Sequence, residues 1–140
     1  MISPILSVKD IDHSVAFYTK KLGFKHDFSM PGPDGVNTFA FVSLGPATFI
    51  GLSRDEQLAH RGEGVQFMIY LPEEQDIDQV YAEVKERGIT PETEIKTQYW
   101  GDRTFSVRDP DNYLLTIAHT VHQADMNEVA AIMRGEESVP

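Results

Sequence analysis

The chain has 140 residues and no cysteine, which suits one compact domain and removes disulfides, zinc knuckles and thiol nucleophiles. With 22 acidic against 12 basic residues the net charge is −10, and the scattered lysines and arginines form no patch that would draw nucleic acid or an anionic membrane. No basic leader precedes an apolar core and no apolar run approaches the roughly 20 residues of a membrane span, so the expectation is a soluble, cytoplasmic protein with neither partner.

Ile2 to Val8 alternates in hydrophobicity and reads as a first strand. Asp10 is placed to cap a helix whose Ile11, Val15, Tyr18 and Leu22 share one face. Asp12 in its first turn, Lys20-Lys21 in its last and Gly23 beyond complement the helix dipole and end it. Phe24 to Ser29, Asn37 to Leu44 and Ala47 to Leu52 follow as strands, divided by Pro31-Gly32-Pro33-Asp34-Gly35 and by Gly45-Pro46. The first half is therefore β-α-β-β-β, and polar residues 54–62 link it to the second.

Val65 to Leu71 is a strongly apolar strand, and Ile77, Val80, Tyr81 and Val84 form a second helical stripe opened by Asp76 and closed by Gly88. Glu92 to Thr97, Arg103 to Arg108 and Asn112 to His119 repeat the three strands, the last two joined by Asp109-Pro110-Asp111. Met126, Val129, Ala130 and Met133 mark a C-terminal helix over 125–134, and Glu136 to Pro140 is expected to fray. The halves echo each other: Asp10-Ile11-Asp12 and Asp76-Ile77-Asp78 lie 66 residues apart, as do Thr38-Phe39 and Thr104-Phe105. This predicts an α+β fold of two tandem modules, 1–53 and 63–119, within a single domain spanning 1–140.

The opening from Val8-Lys9-Asp10-Ile11 to Leu22-Gly23-Phe24, the doubled β-α-β-β-β order and the Asp109-Pro110-Asp111-Asn112-Tyr113 turn resemble the vicinal oxygen chelate superfamily over residues 1–119. That group holds glyoxalase I, extradiol dioxygenases, fosfomycin-resistance enzymes and bleomycin-resistance proteins. The resemblance implies two half-barrels around a cleft and, in metal-using members, four His or Glu ligands on cleft-facing strands. Spacing from the shared motifs puts those positions at Ser3, Gly51, Gln66 and Thr116. Glycine offers no donor, and neutral hydroxyls and an amide hold a divalent ion poorly. A one-residue slip would bring in Ile2, Val65, Phe67 or Ile117, which are no better. The implied cofactor is therefore none, closest to the metal-free bleomycin-resistance-like members.

Strand alternation then lists a lining. Thr116 pointing into the cleft brings Leu114 and Ala118 with it, and leaves Tyr113, Leu115 and Ile117 under a helix. By the sheet geometry the resemblance implies, Thr104 and Ser106 face inward from the preceding strand, Thr38 and Ala40 from its duplicate with Phe39 and Phe41 outward, Gln66 and Met68 from the second module's first strand, and Ser3, Ile5 and Ser7 from the first module's. Tyr99, Trp100 and Arg103 sit on a loop just before a cleft strand. The aromatic pair either stacks on a ligand or covers the sheet end or a dimer contact. Glu63 and Asp102, the acidic residues nearest these strands, are expected to be solvated. His119, His122 and Asp125 could grip a metal, although solvated histidines explain them as well, and His13, His26 and His60 are isolated.

Three functions fit. The first is metal-independent sequestration of a small neutral or cationic aromatic, antibiotic-like molecule. The second is a glyoxalase-like lyase or dioxygenase with a non-standard metal site, and the third a structural dimerisation module. Relatives of this length imply a homodimer in which each cleft draws on both chains.

Overall fold

The computed structural model describes residues 2–57 and 60–135. The tail 136–140 and two linker residues, 58 and 59, lie outside them. Two four-stranded sheets carry the fold. The first runs β1 (Ile5–Val8), β4 (Thr48–Arg54), β3 (Asn37–Leu44) and β2 (Lys25–Pro31) across its width, and the second repeats that order as β5 (Gln66–Tyr70), β8 (Leu114–Thr120), β7 (Asp102–Arg108) and β6 (Thr93–Thr97). In each, the first strand pairs parallel with the last and the others are antiparallel. The expected tandem modules are present, with strand ends moved by one to three residues and β4 extending two residues past the expected Leu52.

One helix follows the first strand of each module. In α1 (Ile11–Ala16) the Asp10 side chain accepts from the His13 amide, and in α2 (Ile77–Glu86) Asp76 accepts from the Asp78 and Gln79 amides. The first helix departs from the expected continuous α-helix: Phe17–Lys21 is π-helical, with the Leu22 amide reaching back to the Phe17 carbonyl and the Thr19 hydroxyl donating to the Val15 carbonyl. The wider turn accompanies a cluster of rings, Phe17 edge-on to Tyr18 and Tyr18 edge-on to Phe24.

The core lies between each helix and its sheet. Ala40, Val42, Ile50 and Leu52 are buried in the first module, and Phe105, Val107, Leu115 and Ile117 in the second, with Tyr81 of α2 edge-on to Phe105. This reverses one expectation. Ala40 is fully buried on the helix side, so Phe39 and Phe41 lie on the opposite, distal face of β3. The first module has its own ring cluster on the helix side and there takes small and aliphatic strand residues, whereas the second supplies the ring from the strand.

The two motifs that mark the chain's ends of the fold meet in space. Asp111, in the β7–β8 turn, accepts from the Lys9 amide (2.8 Å) and from Ser14 Oγ (3.4 Å), and Arg61 Nε lies 3.7 Å from it. Asp109 accepts from Tyr18 Oη at 2.8 Å, and Tyr113 Oη donates to the Ser7 carbonyl. The turn closes around Asp109, whose Oδ1 takes the Asp111 and Tyr113 amides, and Asn112 adopts the left-handed conformation at φ 72°, where Asn is tolerated.

The C-terminal helix α3 (Met126–Met133) is present, capped by Asp125. Its buried residues are Val129 and Ala131, while Met126 and Met133, expected on its packed side, are exposed. No helix among the described residues is long and apolar enough to cross a membrane.

Candidate functional site

The face of each sheet turned away from its helix carries the residues of interest, and cross-strand register fixes which they are. In the first sheet Gly51 on β4 lies opposite Ile5 on β1 and Phe41 on β3. In the second, Thr116 on β8 lies opposite Met68 on β5 and Ser106 on β7. Gly51 and Thr116 therefore hold equivalent places in the two modules, and so do Phe41 and Ser106.

The first distal face is aromatic. A Cβ on Gly51 would stand 3.1 Å from Ile5 Cγ1, 3.2 Å from Phe39 Cζ and 3.3 Å from Phe41 Cε1, so the missing side chain is what lets the two rings and the isoleucine close over β4. Phe39 and Phe41 pack edge-on at 5.0 Å between centroids, and Phe28 tilts against Phe41 at 5.4 Å. Ser3, Asp27, Phe28, Phe41 and Phe49 line a recess of about 360 Å³. Ser3 Oγ donates to the Phe49 carbonyl, and Ser43 Oγ to Asp27. This lining comes from the first module alone, not from both halves as expected, and Ile5 beside it is 60% exposed.

The second distal face is a row of small polar groups. Gln66 Nε2 donates to Thr116 Oγ1 at 2.7 Å, Thr116 Oγ1 and Ser106 Oγ are 2.8 Å apart, and Gln98 Nε2 donates to Thr104 Oγ1 at 3.1 Å. Thr104, Ser106, Thr116 and Ala118 form the buried floor, and Leu114 is partly exposed at one end. Met68 and Tyr70 stand exposed along the edge strand, at 41% and 49%.

At the other end is Asp102, expected to be solvated and found only 5% exposed. Its Oδ2 accepts from Tyr70 Oη (2.8 Å) and Trp100 Nε1 (3.0 Å), and its Oδ1 from Thr120 Oγ1 (2.8 Å). The hydrogen bond to this carboxylate is the main cause that raises the Tyr70 hydroxyl pKa, since ionising the phenol would remove the donor. Trp100 stands edge-on to Tyr99 at 5.1 Å.

Of the expected site residues, Gln66, Met68, Thr104, Ser106, Leu114 and Thr116 thus share one face, Tyr99 and Trp100 sit at its end, and Ser3 and Gly51 lie on the other sheet. Arg103 belongs to neither. Strand β7 begins at Asp102, so alternation turns Arg103 to the helix side, where it grips Asp78 with Nε and Nη2 (2.8–3.2 Å) and gives Nη1 to Thr97. His119 pairs with Arg103 in register and shares that side. No group of three His, Cys, Asp or Glu that could hold a metal occurs among the described residues, so His119, His122 and Asp125 do not converge.

Sequence reasoning missed Phe28, Phe39, Phe41 and Phe49 as one wall, and Tyr70, Asp102 and Thr120 as one cluster. Gly51 was the available signal for the first, because a glycine inside a strand marks a close approach.

The four positions implied for metal ligands do not fit a cation. Gly51 is roofed by two rings, Ser3 is spent on a backbone carbonyl, and Gln66 and Thr116 satisfy each other and Ser106. Comparison with known proteins agrees with the architecture. The crystal structure of TioX from Micromonospora sp. ML1 superposes with a TM-score of 0.69 at 18% identity, covering 85% of this chain and 97% of that one. A glyoxalase-related enzyme from Clostridium phytofermentans gives 0.69 at 25% identity, covering 86% and 94%. In sequence, the bleomycin resistance protein of Geobacillus stearothermophilus is 32% identical over 126 residues, 81% of this chain and 91% of that protein. The model of the Glyoxalase/Bleomycin resistance protein/Dioxygenase superfamily matches residues 2–117, the span of both modules, and the chain belongs to that superfamily.

Proposed function

We propose that this protein binds and sequesters a small organic molecule without a metal ion, in a cleft that two chains build together. The observation that carries the reading is the state of the four positions. An aromatic wall closes over Gly51, and a closed hydrogen-bond chain joins Gln66, Thr116 and Ser106 where metal-using relatives would offer carboxylates and imidazoles. The relatives named for bleomycin resistance support an antibiotic-like ligand.

The two faces divide the recognition. Phenylalanines on the first sheet suit a flat ring, while hydroxyls and an amide on the second suit its polar substituents. Each face carries large apolar side chains in water in a single chain, Ile5 on one and Met68 on the other, and pairing the first face of one chain with the second of its partner would cover both. The test is elemental analysis of purified protein together with a thermal-shift screen of aromatic antibiotics with and without chelator. Stabilisation by a ligand that chelator does not alter supports the reading. A stoichiometric transition metal whose removal abolishes binding refutes it and favours the lyase or dioxygenase alternative.

A further inference from the structure

Resting on that binding reading, we propose that Asp102 is a positioning residue that makes the second face selective for organic cations, by aiming the rings of Tyr70 and Trp100 and enriching their faces with negative charge. The carboxylate itself is 5% exposed, while Tyr70 is 49% and Trp100 36% exposed. A ligand therefore meets the two rings, not the acid behind them. Both rings give their polar hydrogen to the same atom, Asp102 Oδ2, so their orientations are set together.

Burying a carboxylate costs free energy that a fold repays only with well-made contacts. Here the three donors, Tyr70, Trp100 and Thr120, are all neutral. Thr97 and Asp78 occupy the neighbouring Arg103 on the other face of the strand, so that cation is turned away from the acid. A phenol or indole that donates to a carboxylate carries more negative charge on its ring face, and ring faces attract cations. The hydrogen bonds to the carboxylate thus all come from neutral groups, and a ligand cation held over Tyr70 or Trp100 would compensate its charge. Thr116, in the hydroxyl row, is four residues from Thr120 along β8, about 13 Å at strand rise, so one drug-sized molecule spans both.

Trp100 is the only tryptophan in the chain, so its fluorescence reports this site directly. The experiment titrates the full-length protein with N-methylquinolinium and with a neutral methylquinoline of the same size, at a pH where the latter is uncharged. The wild type is expected to bind the cation about tenfold more tightly. Asp102→Asn is expected to bring the two affinities together, and Asp102→Glu to restore part of the preference. A purely structural role would weaken both probes alike and leave their ratio unchanged, which overturns the proposal. So does equal binding of both probes to the wild type, although that result leaves the cleft reading standing, whereas absence of binding by either probe overturns both. Tyr70→Phe keeps the ring and removes its donor, so it tests the same link if Asp102→Asn does not fold; a fully retained preference there also overturns the proposal.

Discussion

Asp109 gives the sharpest test of how the modules are joined. It is buried at the turn that meets α1, and burial raises its carboxyl from an ordinary 3.8 to about 6, against the opposing effect of hydrogen bonds from the Tyr113 amide, Tyr18 and the Asp111 amide. Nearby Asp111 adds to the rise. Because the folded chain holds this proton more tightly than the unfolded chain, the group's contribution to stability is complete below the unfolded value. It is lost as pH rises through about 6. At about 1.4 kcal/mol for each pH unit between the two values, the full loss is about 3 kcal/mol, and about 2.5 kcal/mol of it falls between pH 4 and pH 7. Asp109→Asn removes the titration but keeps an oxygen for the two amides and an NH₂ that can donate to Tyr18. Urea unfolding of both proteins at fixed concentration, from pH 4 to 7.5, should show the variant gaining on the wild type by about that amount as pH rises. If the two stability curves run parallel, burial does not govern this carboxyl and the account of the joint is wrong.

Tyr18→Phe removes a donor from the same carboxylate and should cost about 2 kcal/mol near neutral pH, read from the urea midpoint. Gly51→Ala should cost about 1 kcal/mol, the low end for overpacking because Phe39 and Phe41 are only partly buried and can give way. It should also weaken ligand binding measurably by titration, since the displaced rings are the wall. Arg103→Ala should leave ligand affinity unchanged, because its guanidinium is held by Asp78 on the helix side.

The order of elements was legible because each signal was local: Asp10 and Asp76 do cap helices, and Pro-Gly and Asp-Pro-Asp stretches do divide strands. The orientation of β3 was not. The Thr38-Phe39 and Thr104-Phe105 echo suggests an offset of 66, yet the registers make Phe39 equivalent to Thr104 and Gly51 equivalent to Thr116, an offset of 65. A strand's side chains alternate, so that one residue sends every one of them to the other face. The aromatic wall was hidden by this slip. Asp102 was hidden for a different reason. Its three donors lie 2, 18 and 32 residues away, and only the folded sheets bring Trp100, Thr120 and Tyr70 to one carboxylate.

Divergence of the two modules makes the source of each cleft testable. The first face carries rings and the second carries hydroxyls and the Asp102 cluster, so a site of the proposed kind would need one of each. Take one chain carrying Phe41→Ala and another carrying Trp100→Ala, each of which should abolish binding of a ligand found by thermal shift. If a cleft joins the first face of one chain to the second face of its partner, the mixed dimer holds one cleft with both lesions and one with neither. Subunit exchange should then recover binding, and random mixing makes half the dimers mixed, so a quarter of all sites return. If each chain builds its own cleft, every site in the mixture keeps one lesion and binding stays absent. Titration calorimetry of the exchanged sample separates the two, and no recovery after exchange confirmed by mass spectrometry would refute the shared cleft.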